Sequence, residues 1–140
     1  MITTEYVSDA LSRTGVSARI LGPGEKQALI LRLMDRHGVD VRRHEPWDDS
    51  AAPQGQLRPD GWTLIAEYVG ATTCLVFLDG AKAIWKLENG GDLRRVLNEC
   101  PAVEFYVCDE NADYLLCSNH HDFVIGWGVA ASWVENLGHS

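Results

Sequence analysis

The clearest signal of fold is the stretch from residue 103 to residue 127, which reads VEFYVCDENADYLLCSNHHDFVIGW. Three runs rich in aromatic and β-branched residues alternate here with two short polar segments, Asp109–Asp113 and Asn119–His121. Such runs, bounded by Asp, Asn and Ser, are typical of strands joined by tight turns. Because strands with short connections pair antiparallel, the stretch predicts a three-stranded antiparallel unit.

A similar pattern precedes this unit. Asp79-Gly80 separates two apolar runs and indicates a hairpin, and Pro101 ends an amphipathic run that is typical of a short helix. We therefore predict the order β-β-β-α-β-β-β-α for residues 62–140, with strands at 62–69, 73–78, 83–87, 103–108, 114–118 and 122–127 and helices at 92–100 and 129–137.

The first third of the chain is predicted to be helical. Apolar residues recur at helical spacing up to Gly15. A second apolar stripe runs from Pro23 to Gly38. Pro is favoured at the start of a helix and Gly at its end. Residues 1–41 are thus expected to form a helical hairpin. Residues 42–61 contain three prolines and show little periodicity, which predicts a loop.

Length and composition indicate one domain of the α+β class. A chain of 140 residues that is 46% hydrophobic is long enough to bury its own core. We expect an antiparallel sheet of about six strands, with the N-terminal helical hairpin and two further helices packed mainly on one face.

The charge balance and the lack of sorting signals narrow the class of partner. With 12 Lys and Arg against 20 Asp and Glu, the chain has no basic surplus for nucleic acid. It has no apolar run of about 18 residues for a membrane and no leader pattern at its start. We expect a cytoplasmic protein, a monomer or homodimer without cofactor. Its four cysteines would then be reduced thiols, mostly buried.

The densest polar group is the segment from Cys117 to Asp122. His120, His121 and Asp122 are candidate catalytic residues, since a carboxylate can orient a histidine that acts as a general base. Cys117, His120 and His121, with Cys108, are candidate metal ligands, although their spacing is unconventional for zinc. Cys117 and His120 could also form a nucleophile pair. The simpler interpretation is a hairpin turn capped by side-chain hydrogen bonds.

Acidic turns supply a second set of candidates, for binding a basic protein. Charge complementarity speeds association and selects partners, but Asp also occurs in turns for backbone reasons. Trp47 lies in the predicted loop, where it either holds the loop to the body or contacts a partner. The candidate binding residues are Trp47, Asp48, Asp49, Asp109, Glu110 and Asp113.

The segment from Glu104 to Asp122 also resembles a family of small bacterial proteins of uncharacterised function. The likeness covers about the last 40 residues: an E-F-Y strand, a Leu-Leu-Cys-x-Asn-His-His-Asp hairpin and a closing helix with Trp133. In size and charge the chain is also similar to immunity proteins of bacterial toxin systems. Neither resemblance assigns a role to any residue.

These observations favour a non-enzymatic protein-binding domain, in its most specific form an immunity protein that neutralises a basic bacterial toxin. The alternative is a small enzyme or metal-binding domain centred on the His120-His121-Asp122 hairpin.

Overall fold

The computed structural model describes residues 4–101 and 103–138. Within these residues the chain forms five helices and one seven-stranded sheet in which all neighbouring strands are antiparallel. The predicted α+β class is confirmed. The elements are α1 (Thr4–Thr14), β1 (Ala18–Ile20), α2 (Pro23–His37), β2 (Gln56–Leu57), α3 (Gly61–Val69), β3 (Cys74–Leu78), β4 (Ile84–Leu87), α4 (Gly90–Glu99), β5 (Phe105–Cys108), β6 (Tyr114–Ser118), β7 (Phe123–Gly128) and α5 (Ala131–Leu137).

The sheet has the strand order β1-β4-β3-β5-β6-β7-β2. Its register pairs Leu78 with Phe105, Phe105 with Ser118, and Ser118 with Val124. The end of β3, the start of β5, the end of β6 and the start of β7 therefore lie at one end of the sheet. We call this the His120 end. The turn at residues 109–113 lies at the opposite end.

Both faces of the sheet are buried. Successive side chains of a strand point to opposite faces, and in β3 both sets lie in a hydrophobic core. In β3, Cys74, Val76 and Leu78 pack into a core with α1, α3, α4 and α5. Leu75 and Phe77 pack into a second core with α2 and with the irregular segment 38–55. The central strands are accordingly apolar throughout, as in sheets that are covered on both sides.

The predicted N-terminal helical hairpin is wrong. Val7 of α1 packs in the first core, whereas Leu29 and Leu33 of α2 pack in the second, so the two helices lie on opposite faces of the sheet. Between them the chain forms β1, which pairs with β4 at the sheet edge. A strand of three residues is too short to show alternation in the sequence.

The predicted strand at 62–69 is also wrong, since this segment is α3. Ile65, Ala66 and Val69 form a buried helical face. The segment is rich in β-branched and aromatic residues, which favoured a strand, but tertiary packing overrides this strand propensity. α3 lies so close to α4 that a Cβ added at Gly90 would overlap the carbonyl oxygen of Ala66.

The predicted loop at 42–61 is correct only in part. The segment is irregular as far as residue 55, but Gln56 and Leu57 pair with β7 as an edge strand and Gly61 begins α3. The other predicted strands and helices are confirmed to within a few residues.

Candidate functional site

A buried carboxylate, Glu104, organises the His120 end of the sheet. Its side chain is only 9% exposed and accepts four hydrogen bonds. Trp47 Nε1–H and the Tyr106 hydroxyl donate to Oε2 at 3.0 and 2.6 Å. His120 donates to Oε1 from Nδ1 at 2.9 Å and from its backbone N–H at 3.2 Å. These donors compensate the cost of removing the charge from water.

This hydrogen-bond pattern assigns the tautomer of His120. An ionised carboxylate only accepts hydrogen bonds, so Nδ1 of His120 carries a proton. The other ring nitrogen, Nε2, lies 3.7 Å from Glu45 Oε1, beyond hydrogen-bond length. A carboxylate that holds Nδ1–H of a histidine fixes the ring orientation, an arrangement found at catalytic and metal-binding histidines.

The cluster continues from Glu45 to the turn between β3 and β4. His44 lies between two carboxylates, with Nδ1 2.8 Å from Asp79 Oδ2 and Nε2 3.4 Å from Glu45 Oε1. Glu45 itself has a positive φ of 52°, and its backbone N–H donates to Asp79 at 3.4 Å. We call Glu104, His120, Glu45, His44 and Asp79 the carboxylate–imidazole cluster. It joins the segment 38–55 to two turns of the sheet.

Trp47 holds this segment to the body of the protein. It is half-buried, donates to Glu104, and its ring contacts His120 and His121 edge-on, with centroid distances of 5.6 and 5.8 Å. Of the two alternatives for Trp47, the structure therefore shows the anchoring contact.

A cleft of about 350 Å³ opens at the same end, between α3, the end of α4 and the turn that joins β6 to β7. Its walls are mainly apolar and its polar residues come largely from that turn. The lining residues are Pro59, Trp62, Leu97, Asn98, Cys100, Pro101, Val103, Phe105, Ser118, Asn119, His120 and Asp122. They include neither Lys nor Arg. The volume lies near the lower limit of small-ligand pockets, roughly 300 Å³.

The three predicted catalytic residues are placed differently. His120 and Asp122 both line the cleft, whereas His121 is exposed and contacts Trp47 and His120 instead. Asn119 shapes the turn, since its Oδ1 accepts the backbone N–H groups of His121 and Phe123. The capping hydrogen bonds expected of this turn are therefore present beside the cleft.

The thiols have environments that keep them protonated. Cys117 and Cys108 are buried, and burial raises the pKa of both thiols well above the ordinary value. Burial also raises the pKa of Cys100 in the cleft. Because the thiolate is the nucleophile and the metal ligand, Cys117 is poorly suited to either predicted role. In the described part of the chain, no three His, Cys, Asp or Glu residues are grouped so as to hold a metal ion.

The predicted acidic binding residues do not form one surface. Asp109, Glu110 and Asp113 lie at the end of the sheet opposite His120. There Arg36 contacts Asp113 at 2.8 Å and Lys86 contacts Glu110 at 2.7 Å.

Asp109 is also occupied, because its carboxylate accepts the backbone N–H groups of Asp113 and Tyr114. In the predicted loop, Asp49 lies 3.7 Å from Arg43, while Asp48 is exposed.

Sequence reasoning missed Glu104, Glu45, His44 and Asp79 as site residues. One feature of the sequence could have indicated Glu104. It is a carboxylate in an otherwise apolar predicted strand, two residues before Tyr106, and residues two apart in a strand share a face. The contacts of His44 and Asp79 join residues 35 positions apart and have no local signature.

No helix in residues 4–101 or 103–138 has the length and apolar character needed to cross a membrane. Comparison with protein-family models, with curated proteins and with solved structures found no match to this chain.

Replacing Glu104 should destabilise the fold more than replacing an exposed glutamate. Glu104→Ala leaves Trp47, Tyr106 and His120 without their acceptor, and an unpaired buried donor costs about 1–3 kcal/mol. We expect the free energy of unfolding to fall by about 2 kcal/mol or more in urea titrations. Glu88→Ala, at an exposed residue, is the matched control. Equal losses in the two variants would show that the Glu104 contacts contribute nothing.

The pKa of His44 should lie above the ordinary histidine value. The hydrogen bond to Asp79 raises it most, followed by the charges of Asp79, Glu45 and Glu104. Protonated His44 therefore stabilises the folded state. This contribution is fully present at a pH below the ordinary histidine pKa and is lost as the pH rises through the raised pKa of His44. NMR titration of the His44 ring should show the shift, and Asp79→Asn should reduce it. An unshifted His44 in the parent protein would refute the pairing.

Proposed function

We propose that this protein is a non-enzymatic protein-binding domain that engages a basic partner through the His120 end of its sheet. The observation that carries the proposal is the distribution of acid that has no Lys or Arg as a side-chain partner. Among the described residues, four carboxylates at this end have none: Glu45, Asp79, Glu104 and Asp122. Glu104 is used in four internal hydrogen bonds, but the partly exposed Glu45 and Asp79 and the exposed Asp122 attract a basic surface.

The opposite end of the sheet lacks this property. Arg36 and Lys86 neutralise Asp113 and Glu110, and Arg32 donates to the carbonyl oxygen of Glu110 at 2.6 Å. The acidic side chains at that end therefore already have partners within the protein. For this reason we place the proposed contact surface at the His120 end.

Apolar side chains lie beside the acidic groups. Leu57 and Phe123 are directly paired across β2 and β7 and remain 60% and 38% exposed. Trp62 lines the adjacent cleft. An aromatic and apolar centre with a charged rim is the usual composition of protein interfaces.

Toxin neutralisation is the most specific form of this proposal, and its support is the size and negative charge of the chain. This form predicts that a neighbouring gene encodes a basic toxin and that co-expression of this protein restores growth to cells that make the toxin. If no such gene is present, or if growth is not restored, this form alone is overturned.

A second candidate, a small enzyme or metal-binding domain, is favoured by the oriented His120. Glu104 holds its Nδ1–H beside a cleft, as in general-base histidines. This candidate predicts either turnover of simple ester substrates or stoichiometric zinc in untagged protein, lost in His120→Ala. This second candidate would be ruled out if metal analysis and hydrolysis assays gave the same background values for the parent protein and the variant.

The binding proposal predicts charge selection. Random peptides displayed against the immobilised protein at moderate salt should become enriched in Lys and Arg next to an aromatic or aliphatic residue. Asp122→Asn should weaken that enrichment, whereas Asp35→Asn, at an exposed residue of α2, should not. Enrichment of neutral or acidic peptides, or none, would contradict the proposal.

A further inference from the structure

The cleft at the His120 end has the composition that a long cationic side chain requires. Trp62 on α3, Leu97 on α4 and Phe105 on β5 provide apolar walls. Lys and Arg place an apolar stem on such surfaces and keep the charged group at a polar edge. A Trp face adds attraction for the cation.

The polar edge comes from the turn between β6 and β7. Asp122 lines the cleft, and among the described residues its carboxylate has neither an ion-pair nor a hydrogen-bond partner. The nearby Arg58 side chain is engaged by Asp60 at 3.0 Å and by the carbonyl oxygen of Leu137. Asp122 thus supplies a negative charge that no side chain of the described protein neutralises.

Asn119 provides a second, independent polar group. It is only 6% exposed, and its Oδ1 is occupied by two backbone N–H groups. No described residue accepts a hydrogen bond from its amide nitrogen, Nδ2, although Asn119 lines the cleft. Nδ2 is not among the buried polar atoms that lack a partner, so it is reached by solvent from the cleft and is free to donate to a ligand.

The chemistry of the lining favours a cation over an anionic ligand. None of the described residues that line the cleft is Lys or Arg, and its carboxylate repels a phosphate or carboxylate group. A purely apolar ligand would make no use of Asp122 and Asn119.

We propose that the cleft binds an arginine or lysine side chain of the partner protein. The stem packs on Trp62, the cation pairs with the Asp122 carboxylate, and Asn119 Nδ2–H donates to a carbonyl oxygen of the partner backbone. This assignment rests on the proposed function, because it names the chemical group of the basic partner that the surface selects.

The test uses the full chain and simple probes. N-acetyl-arginine amide and N-acetyl-lysine amide are titrated into the labelled protein by NMR, with N-acetyl-citrulline amide as the uncharged analogue of arginine. We expect saturable shifts at Trp62, Asn119 and Asp122 with millimolar affinity for the charged probes, and binding of the citrulline probe weaker by about tenfold.

Asp122→Asn is the decisive variant. Asp122 has a positive φ of 65°, which Asn also tolerates, so the exchange removes the charge and keeps the turn. We expect affinity for the arginine probe to fall by about tenfold, with Asp35→Asn unchanged.

Each outcome bears on the assignment. No saturable shifts at the cleft, equal binding of the citrulline probe, or an unchanged Asp122→Asn variant would overturn it. If basic peptides are nevertheless enriched in the display experiment, the cleft assignment fails while the protein-binding proposal stands. If no basic peptide is enriched and no probe binds, both fail.

Discussion

The hydrogen bonds to Glu104 connect the parts of this protein that are far apart in the sequence. One almost buried carboxylate accepts from the irregular segment 38–55 through Trp47, from β5 through Tyr106 and from the β6–β7 turn through His120. A buried charge is tolerated only when donors replace the lost water. The carboxylate therefore requires these three regions to stay together, and they in turn hold the second core closed.

The need to cover both faces of the sheet explains the rest of the architecture. The side chains of β3, β5 and β6 are apolar on both faces, so neither face can be left to solvent. Four helices cover one face. In the described part of the chain α2 is the one helix on the other face, and segment 38–55 completes its cover with Val39, Val41 and Trp47. This segment is irregular, and its backbone is held by turns and by the carboxylate–imidazole cluster.

The placement of charge gives the two ends of the sheet different properties. At the end opposite His120, a guanidinium and an ammonium group pair with Asp113 and Glu110, so this acid already has cationic partners within the protein. At the His120 end, the partners of Glu45, Asp79 and Glu104 are histidines instead of Lys or Arg. The proposed basic partner and the cation site of the cleft both follow from this difference. The two ends of one sheet thus differ in charge although the chain as a whole has 20 acidic and 12 basic residues.

The amino-acid sequence alone was sufficient for the local elements. The strands from residue 73 onward, the helix from Pro23 to Gly38 and the turns with Asp and Asn follow from patterns within a few residues, because propensity, periodicity and turn chemistry are local properties. Segment 62–69 and strand β1 required the tertiary structure. Segment 62–69 has a β-forming composition but packs as a helix against α4, and strand β1 is too short to show a period. The candidate site also required the tertiary structure. The histidines at 120 and 121 were visible in the sequence, but Glu104, Glu45, His44 and Asp79 become partners only when the end of β3, the start of β5 and the segment 38–55 meet. Such contacts depend on strand register and on the path of an irregular segment, which are set by long-range packing.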